Sequence, residues 1–276
     1  MKRALAALSL FLALAACASA APQPPPAALT VSLTQGRSDQ PKQILTVLVT
    51  NAGTAPVWIA DVRLDSPSFA ATGVARMDTY VKKAPVGLRI PYGAARCAAS
   101  GVPEMAPARV VAHIRAADGP QREVSWALPH PDPLLARLFR EECEAYVVGQ
   151  AAEVVFGTEW VKKGRALHGS VVVTRRSGDQ RISIADLYGN VHHRLEARPA
   201  VLEPGARRLE IPVKVSPDRC DPHSFAEAKI AMLFNARVAL GGAPPRHLVF
   251  RSDRVRTQQG RLDEVLLEHA RRTCGI

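Results

Sequence analysis

Aromatic side chains are scarce. Phe, Tyr and Trp make up 5% of the 276 residues, and three of them are tryptophans. Alanine, valine and leucine must therefore fill most of the interior. No apolar run approaches the roughly 20 residues that a membrane-spanning helix needs. No Cys-x-x-Cys pair occurs among the five cysteines, and their spacings do not suit a structural zinc site. There is no Gly-x-Ser-x-Gly elbow, no His-Glu-x-x-His, no phosphate loop and no dinucleotide fingerprint. Ser170, His168 and Asp179 supply the residue types of a hydrolytic triad, but nothing in their spacing supports one. The chain therefore reads as a non-enzyme, with no cofactor and no metal expected.

The N-terminus is informative. Lys2 and Arg3 are followed by an uncharged apolar run from Leu5 to Ala16, which closes on Leu14-Ala15-Ala16-Cys17. This is the pattern of a secretory signal peptide over residues 1–16, and its end resembles the lipobox of bacterial lipoproteins. The resemblance implies cleavage before Cys17 and a diacylglyceryl group on its thiol, enough chain for stable anchoring. Residues 17–27 then form a small, Pro-rich tether expected to be extended. Ala18-Ser19-Ala20 offers a rival site for ordinary signal peptidase, and cleavage after Ala20 would release the protein instead.

Residues 17–276 are numerous enough for two domains of ordinary size, and 47% hydrophobic content argues against disorder. The formal net charge is +11, or +9 once Lys2 and Arg3 are removed with the signal. A basic balance favours anionic neighbours. Export makes nucleic acid an unsuitable partner and leaves phospholipid head groups or anionic wall polymers. The arginine pairs Arg175-Arg176, Arg207-Arg208 and Arg271-Arg272 are dispersed and form no long basic run.

Beyond Cys17 four cysteines remain: Cys97, Cys143, Cys220 and Cys274. In an exported protein an even count suggests disulfides, with three connectivities open. An internal repeat chooses among them. Leu88-Arg89-Ile90-Pro91 precedes Arg96-Cys97, as Leu209-Glu210-Ile211-Pro212 precedes Arg219-Cys220. Ile59-Ala60-Asp61-Val62 is echoed by Ile184-Ala185-Asp186-Leu187, at an offset of about 124 residues. Two copies of one domain, 28–148 and 149–276, would each own one bridge: Cys97–Cys143 and Cys220–Cys274.

Short β-branched runs separated by turn residues recur in both copies. They favour a mainly β chain of two tandem immunoglobulin-like antiparallel sandwiches. A helix ends each copy. The first starts at Asp132-Pro133 with Leu134, Leu135, Leu138 and Phe139 on one face, and is expected to end near Cys143. The second carries Leu262, Val265, Leu266, His269 and Ala270 at helical spacing before Cys274. His269 reads as a partly buried, hydrogen-bonded side chain. Trp58 should point away from the core and be covered by a helix.

The densest polar cluster runs from Arg219 to Lys229. Asp221 caps and Pro222 opens one short helical turn. His223 and Glu227 then lie four apart on one face. Asp221, His223, Glu227 and Lys229 are therefore the candidate ligand or partner loop, and a small-ligand or metal-binding role is the alternative function. The plainer reading is a capped turn beside a disulfide. His192 or His193 could add a ligand, but strand neighbours point to opposite faces, so only one could join.

The run Arg-Cys-Asp-Pro-His-x-x-Ala-Glu-x-Lys is similar to one in uncharacterised lipoproteins of high-GC Gram-positive bacteria with a duplicated disulfide-containing β domain. Pro91-Tyr92-Gly93 with Arg96-Cys97, and Phe156-Gly157, extend the similarity over most of the chain. Ala228 departs from it, where an acidic residue is expected. The resemblance implies no activity. It implies a single-membrane envelope, with the anchor in the outer leaflet of the plasma membrane. The sequence thus describes an exported lipoprotein that binds another envelope protein or an anionic envelope polymer.

Overall fold

The computed structural model describes residues 25–26, 28–116, 119–226 and 231–276. Cys17, Glu227 and Lys229 lie outside the described residues. The protein is mainly β, built from antiparallel sheets. The first half holds β1 (Leu29–Thr34), β2 (Ile44–Asn51), β3 (Val57–Asp65), β4 (Ala75–Val81), β5 (Val86–Pro91), β6 (Arg109–Ala116) and β7 (Arg122–Ala127). α1 (Pro133–Ala151) follows. The second half holds β8 (Ala152–Phe156), β9 (Val161–Lys163), β10 (Ala166–Arg175), β11 (Ile182–Tyr188), β12 (His193–Ala197), β13 (Ala200–Leu202) and β14 (Arg208–Pro217). It continues through α2 (Pro222–Ala226), β15 (Leu233–Leu240), β16 (Arg246–Arg251), a ribbon of β17 (Arg256–Thr257) and β18 (Gly260–Arg261), and α3 (Leu262–Cys274).

Two sheets make up the first half, in the orders β1-β2-β5 and β4-β3-β6-β7. The second half has β12-β14-β10-β8 and β13-β11-β15-β16. Alternation in sequence sets which face is buried. In β2, Leu45, Val47 and Val49 point inward while Thr46 and Leu48 are less buried. Register slips at one place in each half: between Ile59 and Asp61 in β3, and between Ile184 and Asp186 in β11. Both bulges fall on the Ile-Ala-Asp segments that echo one another in sequence.

Each half has its own hydrophobic core, one reaching from Leu29 to Cys143 and the other from Val148 to Leu266. Both expected disulfides are present. Cys97–Cys143 and Cys220–Cys274 have Cα separations of 5.1 and 5.2 Å and close loops of 46 and 54 residues. The loop-entropy model gives each about 4 kcal/mol. They suit an oxidising compartment. No helix among the described residues is long and apolar enough to cross a membrane.

α1 starts as its sequence dictates. Asp132 Oδ1 accepts from the N–H groups of Leu134 and Leu135, both at 3.0 Å, and Pro133 occupies the first turn. It does not stop at Cys143, as the cysteine spacing suggests. Val147, Val148 and Ala151 continue the buried stripe for two more turns, and Val148 joins the second core. Leu135, Leu138 and Phe139 pack into the first core and Val148 into the second. The helix then passes into β8 with no intervening loop.

Candidate functional site

Asp221 behaves as a cap. Its Oδ1 accepts from the His223 N–H at 3.1 Å, and its carbonyl from the Phe225 N–H at 3.3 Å, closing the short α2. Asp221 and His223 are exposed, whereas Phe225 is buried. Among the described residues no three His, Cys, Asp or Glu side chains converge as a metal site. The paper triad does not assemble. His168 and Ser170 lie within β10, and Asp179 lies in the turn beyond its end. At about 3.3 Å per residue, His168 is on the order of 20 Å along the strand from that turn.

His192 and His193 correct the expectation that they face opposite ways. Both are buried, at 3% and 2% exposure. β12 begins at His193, so His192 sits in the preceding bend and is free of strand alternation. His192 packs on Phe225 at 5.6 Å, and His193 on Phe234 at 5.9 Å. His193 Nδ1 lies 3.2 Å from Asn190 Oδ1. His192 Nδ1 and His193 Nε2 have no hydrogen-bond partner among the described atoms. Burial pushes His193 down to about 4 and lowers His192 as well, so both are neutral at pH 7. His269 is buried, with Nε2 3.3 Å from the Arg165 carbonyl, as its helical position suggests.

Trp58 is half-buried. Arg115 lies over its ring at 4.8 Å. Trp126 and Trp160 are core residues whose indole N–H groups donate to the carbonyls of Leu29 and Gly157.

A cleft between the two halves brings together side chains that no motif linked. Its volume is about 510 Å³. One wall is α1, with Arg137, Glu141, Glu142 and Tyr146 on successive turns. The other is formed by Leu233, Val249, Arg251 and Arg254 of the second half, with Gln35, Gln43 and Tyr92 of the first half at its base. Tyr146 and Val249 are each 42% exposed although large and apolar.

The acidic groups of the cleft are already engaged. Glu142 Oε2 accepts the Ala95 N–H at 2.8 Å, and Glu141 holds Arg137 at 3.1 Å. Asp253 accepts both Nε and Nη2 of Arg251, at 2.9 and 2.6 Å. That paired contact holds Asp253 below the usual carboxylate range and raises Arg251. Burial pushes the Tyr92 phenol up, so it stays protonated. Arg254 is exposed and forms no salt bridge within 4.0 Å among the described residues, though its charge helps keep Asp253 low. Nearby, Glu144 Oε2 accepts the His247 N–H at 2.7 Å and ties α1 to β16. The described lining has no serine, cysteine or histidine. It presents apolar contact area and cationic donors.

A larger groove of about 650 Å³ runs along β12 and β14, where Lys214 pairs with Glu196 at 3.2 Å. Its described lining has no Phe, Tyr or Trp to anchor a partner, which makes it the weaker candidate.

No protein-family model and no curated protein matches the chain. Among solved structures, a protein of unknown function from Porphyromonas gingivalis W83 aligns over 75% of this chain and 89% of its own, at 10% identity and a TM-score of 0.22. At that TM-score the alignment carries no argument about fold or function.

Proposed function

We propose that this chain is an exported, lipid-anchored binding module that engages another envelope protein through the cleft between its halves. It acts by binding, not by catalysis. Each half is one copy of an immunoglobulin-like sandwich. The shared strand pairings, the matching bulges and one disulfide per half support that duplication. The observation that carries the binding role is the exposed pair Tyr146 and Val249, framed by Arg254 and the clamped Arg251. Tyr and Arg are the residues most enriched where partners bind tightly, and pockets favour domain junctions. An occupant with apolar side chains and a carboxylate fits this lining.

The test is affinity capture from detergent-solubilised envelope, compared by quantitative mass spectrometry with the Tyr146→Glu/Arg254→Glu variant. The proposal predicts an envelope protein enriched by the native chain and lost, tenfold or more, with the variant at equal expression. The same set of proteins in both captures would refute it.

A further inference from the structure

We infer that the end of the first half farthest from α1 is a docking face for anionic lipid head groups, which sets the protein upright on its membrane. The inference rests on the anchored reading of Cys17. The strand ends define this face. Leu29 pairs with Asn51, Val57 with both Val81 and Ala116, and Ile114 with Arg122, so all these ends lie together. The opposite end gathers Asp65, Arg109 and Ala127, from which the chain enters α1 and the second half.

The chain leaves for its N-terminus at this same face. The Ala52 N–H donates to the Ala28 carbonyl at 2.9 Å, and Asn51 Nδ2 donates to the Val81 carbonyl at 3.1 Å, which knits the root of the tether to the β4–β5 turn. Ten residues, and so eleven Cα–Cα steps, separate Cys17 from Ala28. Fully extended they reach about 36 Å. A lipid on Cys17 therefore keeps this face within about 36 Å of the bilayer, near enough to meet it.

The chemistry of the face suits that position. Lys82 and Lys83 form the β4–β5 turn, are exposed, and have no carboxylate partner among the described residues. Residues 51–56 and 82–85 contain no Asp or Glu, and the β6–β7 turn of the same end adds one acid, Asp118, and one base, Arg122. On the adjoining outer sheet face Tyr80, Trp58 and Arg115 stand directly opposite one another across β4, β3 and β6. Tyr80 is 54% exposed, and Arg115 covers the Trp58 ring. Amphipathic rings and long cationic chains favour the head-group layer. Each Lys or Arg at an anionic surface shifts binding about fivefold, so Lys82, Lys83 and Arg115 together shift it by roughly a hundredfold. Attraction of this kind fades within about 8 Å in physiological salt. The tether lets this face reach the surface, and contact with the head groups brings the cations within that range.

The experiment uses the full lipidated chain in vesicles of phosphatidylcholine alone or with phosphatidylglycerol. Amine acylation of Lys82 and Lys83 is read by peptide mass spectrometry, with Lys162 in the second half as reference. The inference predicts at least threefold protection of Lys82 and Lys83 on anionic vesicles, reversed by high salt, with Lys162 unchanged. It predicts that Trp58 is quenched by brominated anionic lipid, and that Lys82→Glu/Lys83→Glu loses the quenching while still floating with the vesicles. Flotation with equal labelling on both vesicle types would overturn the docking face alone. Failure to float even on neutral vesicles would overturn the anchor and this assignment with it.

Discussion

Gly169 lies against the indole of Trp160. A Cβ built there would fall 2.5 Å from the ring, inside the core of the second half. Gly169→Ala should cost about 1–3 kcal/mol through forced repacking, measurable as a lower midpoint in urea. A midpoint equal to the native one would contradict the packing described. His193 makes a second residue-scale prediction. Its folded pKa of about 4 lies below the ordinary 6.5 because of burial, with His192 and His269 nearby adding like charge. The unfolded chain therefore binds more protons below pH 6.5, so stability is whole above that pH and falls as pH drops toward 4. From His193 alone the loss approaches roughly 3 kcal/mol. His192 and His269 are lowered too and act in the same direction. Urea midpoints at pH 7.5 and 4.5 should separate clearly in the native chain and less in His193→Gln. Equal separation in both would remove His193 from the account.

At the scale of elements, α1 matters most, because one helix is built into two cores. Asp132→Ala should cost about 1 kcal/mol through loss of the cap. A four-residue Gly-Ser insertion after Glu144 should uncouple the halves. Distances between fluorophores at Val74 and Val161 should be narrowly distributed in the native chain and broad in the insertion variant. A broad native distribution would show that the halves are not held by the helix. This element also shows what sequence can reveal. Its start was legible in Asp132-Pro133, and its first face in Leu135, Leu138 and Phe139, because caps and apolar spacing are local signals. Its last two turns were not, since Val148 serves a core assembled from strands far along the chain. β4 was illegible for a related reason: it is an edge strand whose buried side chain is Val81, with Arg76 and Asp78 in solvent. The capped turn at Asp221 was legible because Asx chemistry acts over two residues. The cleft was not, because residues near 35–43, 92, 137–146 and 233–254 meet only in the folded chain.

The whole molecule has a direction. Its lysine-bearing loops and the root of the tether are at one end, the second half is at the other, and the cleft lies between the halves. Cys97–Cys143 fastens α1 to the first half near the base of the cleft, and Cys220–Cys274 closes the second half around α3. Replacing Cys97 and Cys143 by serine should cost about 2–5 kcal/mol and weaken partner capture, since the wall carrying Tyr146 is then less constrained. Unchanged capture would separate the bridge from the binding role. The most direct test of that role places a photo-reactive residue at Tyr146 or at Lys83 of the full chain in its own cells, followed by ultraviolet crosslinking and mass spectrometry. The account predicts a single reproducible protein adduct from position 146 and lipid adducts from position 83. The same protein captured equally from both positions, or none from position 146, would contradict a partner seated in the cleft.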